Sequence, residues 1–440
     1  MQISSITIWI RHSSALWRLP EPSRKGKKHM YPENEVQICM SVKTYCKYAG
    51  VTMLSILEHT ASPVRFHILH DGTLSQENRE KLNAIVAAYP AASLEYHVVD
   101  MSQLAAKEET YRRLSIGPLF RLRMFDALPR DLKRVIQLDA DLVVNLDLAE
   151  LWNLDLQGNM LAACVDTSTS RKVICEKGLV AYDEYINVGV VLWDVAALQR
   201  ENIDLYRESN AFFRRVPDVR LPDEEAVNVI FHGRIKHLDE RYNYLSIHTK
   251  TKHDRLEEKI YHFAADVPRT NGHFMVDRLF EACLRKTPWW TPEFVERVKN
   301  ADAERKAKRA WLRERIPQAS QSWRKRVFWG IGGSIHPFIM DRFDLRPDDV
   351  FVDSDQRKWG TQHLGHEVKN PSVLQEALKE RPAIFVTIYR YHEVRETLLQ
   401  MGYRENEDFF DCKALLDEDL LAQFFGERVQ PWDAGDSKER

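Results

Sequence analysis

From Glu35 to about Trp290 the chain alternates short apolar runs of strand character with stretches whose apolar residues recur at helical spacing. This alternation restricts the fold to the α/β class with a mainly parallel sheet flanked by helices. Candidate strands are Val36–Met40, Val64–His70, Ser93–Val99, Arg134–Leu138, Met160–Val165, Val188–Trp193 and Arg234–Leu238. Tyr48–His59, Gln76–Ala88 and Leu119–Ala127 carry the helical pattern between them. At 440 residues the chain has room for two to three domains, each able to bury its own core.

Past Trp290 the character changes. Residues 291–326 hold many arginines and lysines with Trp311 and Trp323, which predicts a basic helical linker packed on a neighbour. A basic helix carrying tryptophans can also rest on anionic lipid headgroups, so peripheral membrane contact through 291–326 is the second reading. From Val327 a smaller α/β unit begins, with strand patterns at Val327–Trp329, Asp349–Asp353 and Ala383–Ile388. Gly330-x-Gly332 permits a tight strand-to-helix turn, and Asp353 lies 23 residues past Gly330, where a ribose-binding acid would stand. This unit, 327–440, therefore resembles half of a Rossmann fold. Ile335 replaces the third glycine of that pattern, which argues against an NAD-dependent enzyme.

Charge excludes one partner class. Lys+Arg 63 against Asp+Glu 65 gives a net charge of −2, so the chain has no basic surplus for nucleic acid. The six cysteines are scattered and form no C-x-x-C, which fits a reducing, cytoplasmic compartment. No apolar run approaches the ~20 residues of a membrane span. Residues 1–34 read as a disordered arm, because the apolar Met1–Ile10 precedes its basic residues, the reverse of a signal peptide. Met30 stands just before the first strand as an alternative start.

The chemistry concentrates after the strand Val135–Leu138, which ends in Asp139-Ala140-Asp141. In an extended backbone the two carboxylates share one face and offer hard oxygen ligands to one Mg²⁺ or Mn²⁺. Asp353-Ser-Asp355 shows that the tripeptide by itself arises readily. Arg121 precedes the motif, and Asp166, Asn187-Val188-Gly189, Asp223-Glu224-Glu225 with Asn228, and His262 follow it. Singly these have ordinary explanations, such as acids capping the first turn of a helix.

Together their order and spacing resemble glycosyltransferase family 8, retaining enzymes that include bacterial lipopolysaccharide glucosyl- and galactosyltransferases and glycogenin. The resemblance covers about Val36 to Pro288 and implies a GT-A nucleotide-sugar fold over 35–290. It assigns a metal to Asp139, Asp141 and His262. Donor contacts fall to Arg121, Asp166, Asn187 and Tyr45, and Asp223, Glu224 and Glu225 lie beneath the anomeric carbon. The chain departs from the family pattern in three places. Met40–Tyr45 carries no carboxylate, Glu224 replaces a glutamine, and Ala264–Arg269 replaces the glycine- and lysine-containing segment after the histidine, with Arg269 as a substitute cation. A glutamate is a better nucleophile than an amide, so Glu224 makes a two-step route through a glycosyl-enzyme more accessible.

The expected function is retaining transfer of a hexose, glucose or galactose, from a UDP-sugar to a glycan or lipid-linked acceptor in bacterial lipopolysaccharide or surface-polysaccharide synthesis. It would use Mn²⁺ or Mg²⁺, in the cytoplasm or at the cytoplasmic face of the inner membrane. The alternative is a catalytically weak nucleotide-sugar or carbohydrate-binding protein.

Overall fold

The computed structural model describes residues 34–43, 45–108, 116–168, 172–246, 255–264, 274–323, 325–333, 335–388 and 391–417. All but the last residue of the expected N-terminal arm lies outside these, as does Arg269.

The first sheet has seven strands in the order β3-β2-β1-β4-β7-β6-β8. These are β1 (Val36–Ser41), β2 (Val64–His70), β3 (Ala92–Val98), β4 (Arg134–Leu138), β6 (Leu161–Val165), β7 (Ile186–Asp194) and β8 (Ile235–Leu238). Strands β3, β2, β1 and β4 run parallel, whereas β7 is antiparallel to both β4 and β6. The near-continuous apolar character of β1 and β7 follows from helices covering both faces. Side chains alternate between the two cores: Ile136 and Leu138 of β4 enter the core beneath helix α1 (Cys46–His59), while Val135 enters the opposite one. Helix α2 (Gln76–Ala87) packs beside α1, and α3 (Pro222–Ile230) covers the other face through Ala226 and Val227. Helix α4 (Met275–Leu284) joins the α1 side through Val276 and Phe280.

A small sheet, β5-β10-β9, folds against this frame. Its strands are β5 (Leu142–Val144), β9 (Tyr244–Leu245) and β10 (Ile260–His262), and β10 pairs antiparallel with β5 so that His262 stands opposite Leu142.

One expected helix differs. Leu119–Ala127 is a 3₁₀ turn, Gly117–Arg123, followed by a single α-turn, Met124–Ala127. Arg123, at φ −103° and ψ 3°, separates the two windings.

The second unit is a six-stranded sheet, β13-β14-β12-β11-β15-β16. Strands β11 (Arg326–Trp329), β12 (Val350–Val352), β14 (His366–Lys369), β15 (Ala383–Val386) and β16 (Phe409–Asp411) are parallel, and β13 (Gln362–His363) adds an antiparallel edge. Phe351, Phe328, Phe385 and Phe410 stack across four strands at centroid separations of 5.2, 5.4 and 5.9 Å. Asp353, expected to face a ribose, is buried, and its carboxylate accepts from the Ile331 N–H, the Lys358 ammonium and the Asp355 N–H, each at 2.9 Å.

The basic stretch forms one 31-residue helix, α5 (Pro292–Ser322). Phe294 and Val298 at its start belong to the first core, and Leu312, Ile316 and Ala319 at its end belong to the second. Its cations are partly spent inside the protein, since Arg309 and Arg313 donate to the Leu416 carbonyl. Just past its end the Trp323 indole donates to the Arg381 carbonyl at 2.9 Å. Trp311 remains 45% exposed. No helix among the described residues is long and apolar enough to cross a membrane. All six cysteines are free and buried.

Candidate active site

Two strand ends build the site. Beyond β4 the Asp139 N–H donates to the Gly189 carbonyl of β7 at 2.8 Å, and the Asp141 carbonyl accepts from the Phe263 N–H just past β10 at 3.0 Å. These bonds bring together the carboxylates of Asp139 and Asp141 and the ring of His262. The His262 Nε2 lies 3.4 Å from Asp141 Oδ1 and 3.6 Å from Asp139 Oδ2.

A chain of side-chain hydrogen bonds fixes the tautomer of that ring. Glu224 Oε2 accepts from the Asn187 amide nitrogen at 3.0 Å, which turns Asn187 Oδ1 outward. Asn187 Oδ1 then accepts from the Asn243 amide nitrogen at 2.7 Å and from the Gly189 N–H at 2.9 Å. Asn243 Oδ1 is left facing His262 Nδ1 at 2.8 Å. A carbonyl oxygen only accepts, so Nδ1 carries a proton and Nε2 is the ring atom left facing Asp139 and Asp141 as a ligand. Two carboxylates and one imidazole, atoms within 4.8 Å of one another, are a donor set suited to Mn²⁺ or Mg²⁺. Gly189 is required by space: a Cβ there would stand 2.2 Å from His262 Cε1.

Arg121 is a buried cation beside the acidic pair. Its guanidinium donates to the Val188 carbonyl at 2.6 Å and the Pro118 carbonyl at 2.8 Å, and it pairs with Asp139 and, at 3.1 Å, with Asp223. Burial raises the Asp139 pKa despite Arg121 and His262, whereas at Asp141 the opposing pull of His262 outweighs burial and lowers it. Burial alone would lower His262, but Asp141 and Asp139 overcome it and raise the ring's pKa.

The three acids at the start of α3 separate. Asp223 reaches Arg121. Glu224 is buried, and its oxygens accept from the Tyr185 hydroxyl at 2.9 Å, the Asn187 amide and the Val188 N–H at 3.3 Å. Burial first, and the Asp166 charge second, push its pKa well above the ordinary value. Glu225, one residue and about 100° further round the helix, turns away. Its Oε1 accepts from the backbone N–H groups of Arg220 and Leu221 at 3.0 and 3.3 Å, so it holds the preceding loop and does not join the cluster.

Asp166 is buried and pairs with the Lys172 ammonium at 3.0 Å, while Ser168 donates to it through N–H and hydroxyl at 2.8 Å. Tyr45 precedes α1 and is 48% exposed, its ring 5.6 Å from that of Tyr48. Asn228 ties α3 to β7, accepting from the Ile186 N–H and donating to the Ile186 carbonyl. Asn243, Tyr185 and Lys172 were not marked by any sequence pattern; each is defined by the partner that the fold supplies.

The family description "Glycosyl transferase family 8" matches residues 37–266, more than half of the chain. A Haemophilus influenzae protein is 29% identical over 219 residues, covering 49% of this chain and 63% of that one. The Escherichia coli lipopolysaccharide 1,2-glucosyltransferase is 26% identical over 208 residues, covering 44% of this chain and 58% of the enzyme. The chain thus spans less than two thirds of the length of these relatives. Among solved structures an active-site mutant of LgtC superposes with a TM-score of 0.50 at 22% identity, over 59% of this chain and 99% of that one. The first unit has this GT-A architecture.

Proposed function

The chain belongs to glycosyltransferase family 8, and from that premise we propose that it transfers a hexose from a UDP-sugar, with retention, to a glycan or lipid-linked acceptor of bacterial surface-polysaccharide synthesis. The observation that carries this reading is the convergence of Asp139, Asp141 and His262 with the His262 Nε2 held toward the two carboxylates. The lipopolysaccharide glucosyl- and galactosyltransferases among its relatives support the acceptor class.

Asp139, Asp141 and His262 would hold Mn²⁺ or Mg²⁺, which when bound neutralises the charge of a departing diphosphate. Around that position the chain's own groups have separate tasks. Arg121, buried and rigid, fixes Asp139 and Asp223 relative to each other. Asp223, Asp166 and Asn187 would orient the donor sugar, and Tyr45, exposed beside α1, would meet the base. Retention follows if the acceptor hydroxyl attacks from the face that the diphosphate leaves. The bond from the anomeric carbon to the diphosphate breaks, the bond to the acceptor oxygen forms, and the acceptor proton passes to the departing phosphate oxygen. The three hydrogen bonds already accepted by Glu224 support this direct route over a glycosyl-enzyme at that residue. Glu224 then acts as a positioning residue that orients Asn187, Asn243 and, through them, His262.

Release of UDP from UDP-glucose and UDP-galactose, measured with Mn²⁺ and with EDTA, tests the proposal. Metal-dependent turnover that is lost in Asp139→Asn and Asp141→Asn is expected. Full activity in EDTA would overturn the metal assignment at Asp139, Asp141 and His262, and binding of donor with no cleavage would leave only a binding protein.

A further inference from the structure

A second group of ligating side chains lies on the first sheet, on strands that the transfer reaction does not use. His67 on β2 pairs with Glu95 on β3, and Leu69 with His97, so the period-2 alternation puts His67, Glu95 and His97 on one face near the sheet edge. His67 Nδ1 is 3.0 Å from His97 Nε2 and 3.8 Å from Glu95 Oε2, and His97 Nε2 is 3.9 Å from the same oxygen. Ligand atoms about 2.0–2.1 Å from a tetrahedral Zn²⁺ are themselves separated by about 3.3 Å, within the span of these distances. We propose that His67, Glu95 and His97 form a site for a borderline divalent ion of the Zn²⁺ class, clamping the edge strand β3 to β2.

The surroundings are those of a metal site. Gln37 donates its amide N–H to the Glu35 carboxylate at 2.7 Å, which leaves its carbonyl oxygen to accept from His67 Nε2 at 2.9 Å. The His67 proton is therefore on Nε2, and Nδ1 presents a lone pair to His97 and Glu95. Arg65, held on its other side by Glu35, donates to Glu95 Oε1 at 2.8 Å and leaves Oε2 turned to the two histidines. Without an ion, His97 Nε2 must donate to His67. Binding needs only that this proton move to the other ring nitrogen of His97, where a hydrogen bond to the Ala127 backbone receives it. Burial, reinforced by His97 and Arg65, holds the His67 pKa at about 3, so the neutral ligand form is present at pH 7. The ring of His67 is fully buried, whereas the side chains of His97 and Glu95 are 14% and 35% exposed, which gives an ion a way in. Two imidazoles and one carboxylate select Zn²⁺, Co²⁺ or Ni²⁺, in contrast to the oxygen-rich set at Asp139 and Asp141.

The full chain carrying Asp141→Asn, which cripples the other cluster, is titrated with Zn²⁺ against a chromophoric chelator and with Co²⁺ by visible absorption. The six buried thiols do not compete. One bound Zn²⁺ per chain and the intense bands of tetrahedral Co²⁺ are expected. Adding His97→Ala should abolish both. Glu95→Gln, which keeps the side-chain shape if His97→Ala fails to fold, should weaken binding at least 10-fold, and Gln37→Leu should weaken it 10- to 100-fold through the lost hydrogen bond. Absence of a bound ion in the Asp141→Asn chain, or equal affinity after His97→Ala or Glu95→Gln, would overturn the assignment.

Discussion

Replacing Gly189 by alanine isolates the packing that aims His262. The added Cβ would lie 2.2 Å from His262 Cε1 and 2.6 Å from Nδ1, whereas carbon atoms rest at about 3.5–4.0 Å. Strand β7 cannot retreat, because Gly189 accepts from Asp139 on one side and its neighbours Val188, Val190 and Val191 lie in the buried centre of the sheet. The imidazole must therefore move by roughly 1 Å, leaving Asn243 and the two carboxylates. Overpacking of this kind costs about 1–3 kcal/mol. A misplacement near 1 Å at the chemistry costs about 100-fold in rate, and a disturbed ligand about 10- to 100-fold in metal affinity. The assay is donor hydrolysis titrated with Mn²⁺, beside a thermal melt that confirms folding. The predicted outcome is a folded variant with a half-saturating Mn²⁺ concentration raised at least 10-fold and a lower plateau. An unchanged Mn²⁺ curve with an unchanged plateau would refute the claim that Gly189 exists to seat His262.

Three further outcomes follow from the same contacts. Glu224→Gln can still accept from Asn187 and meet the Tyr185 hydroxyl, so less than a 10-fold loss of turnover is expected; a loss of several orders of magnitude with intact donor binding would place a covalent step at Glu224. His67 and His336 have folded-state pKa values of about 3 and about 4, below the unfolded value of 6.5, so stability complete above pH 6.5 is lost as pH falls toward those values. Urea denaturation of the metal-free chain at pH 7 and pH 5 should show a deficit of about 2 kcal/mol for each at the lower pH, absent for His336 in His336→Phe. A chain ending after Asn300 keeps Phe294 and Val298 in the first core and should stay monodisperse in gel filtration, whereas one ending at Pro317 exposes Leu312 and Ile316 and should aggregate.

Most of the frame is legible in the residue pattern, because buried strands are rich in Val, Ile, Leu and Phe even where a polar side chain, such as Arg65 or Gln137, is tied by hydrogen bonds: Arg134–Leu138 and Val64–His70 are observed with the bounds their composition predicts. The antiparallel course of β7 is not legible, since Ile186–Asp194 is apolar on both faces whichever way it runs. Neither is the 3₁₀ winding at Gly117–Arg123, where the inward turn of Arg121 toward Val188 and Asp139 prevails over helical spacing. In the candidate site the charged residues stand out in sequence, but their division of labour does not. Glu224 and Glu225 differ by one helical step, and only packing sends one to Asn187 and the other to the backbone of Arg220. Asn243 carries no local signal at all, because its part depends on both Asn187 and His262, 56 and 19 residues away. The cluster of His67, Glu95 and His97 needed the β2–β3 register, which alternation within single strands cannot supply.

The stereochemistry of donor cleavage tests the central claim most directly. Proton NMR of UDP-α-hexose turnover with Mn²⁺, with water or a simple alcohol as acceptor, reports the anomer released before mutarotation. The account predicts that the first product is the α-anomer, dependent on the metal and absent in Asp141→Asn. A β-anomer as first product would contradict retention and, with it, the roles given to Asp223, Asn187 and Glu224.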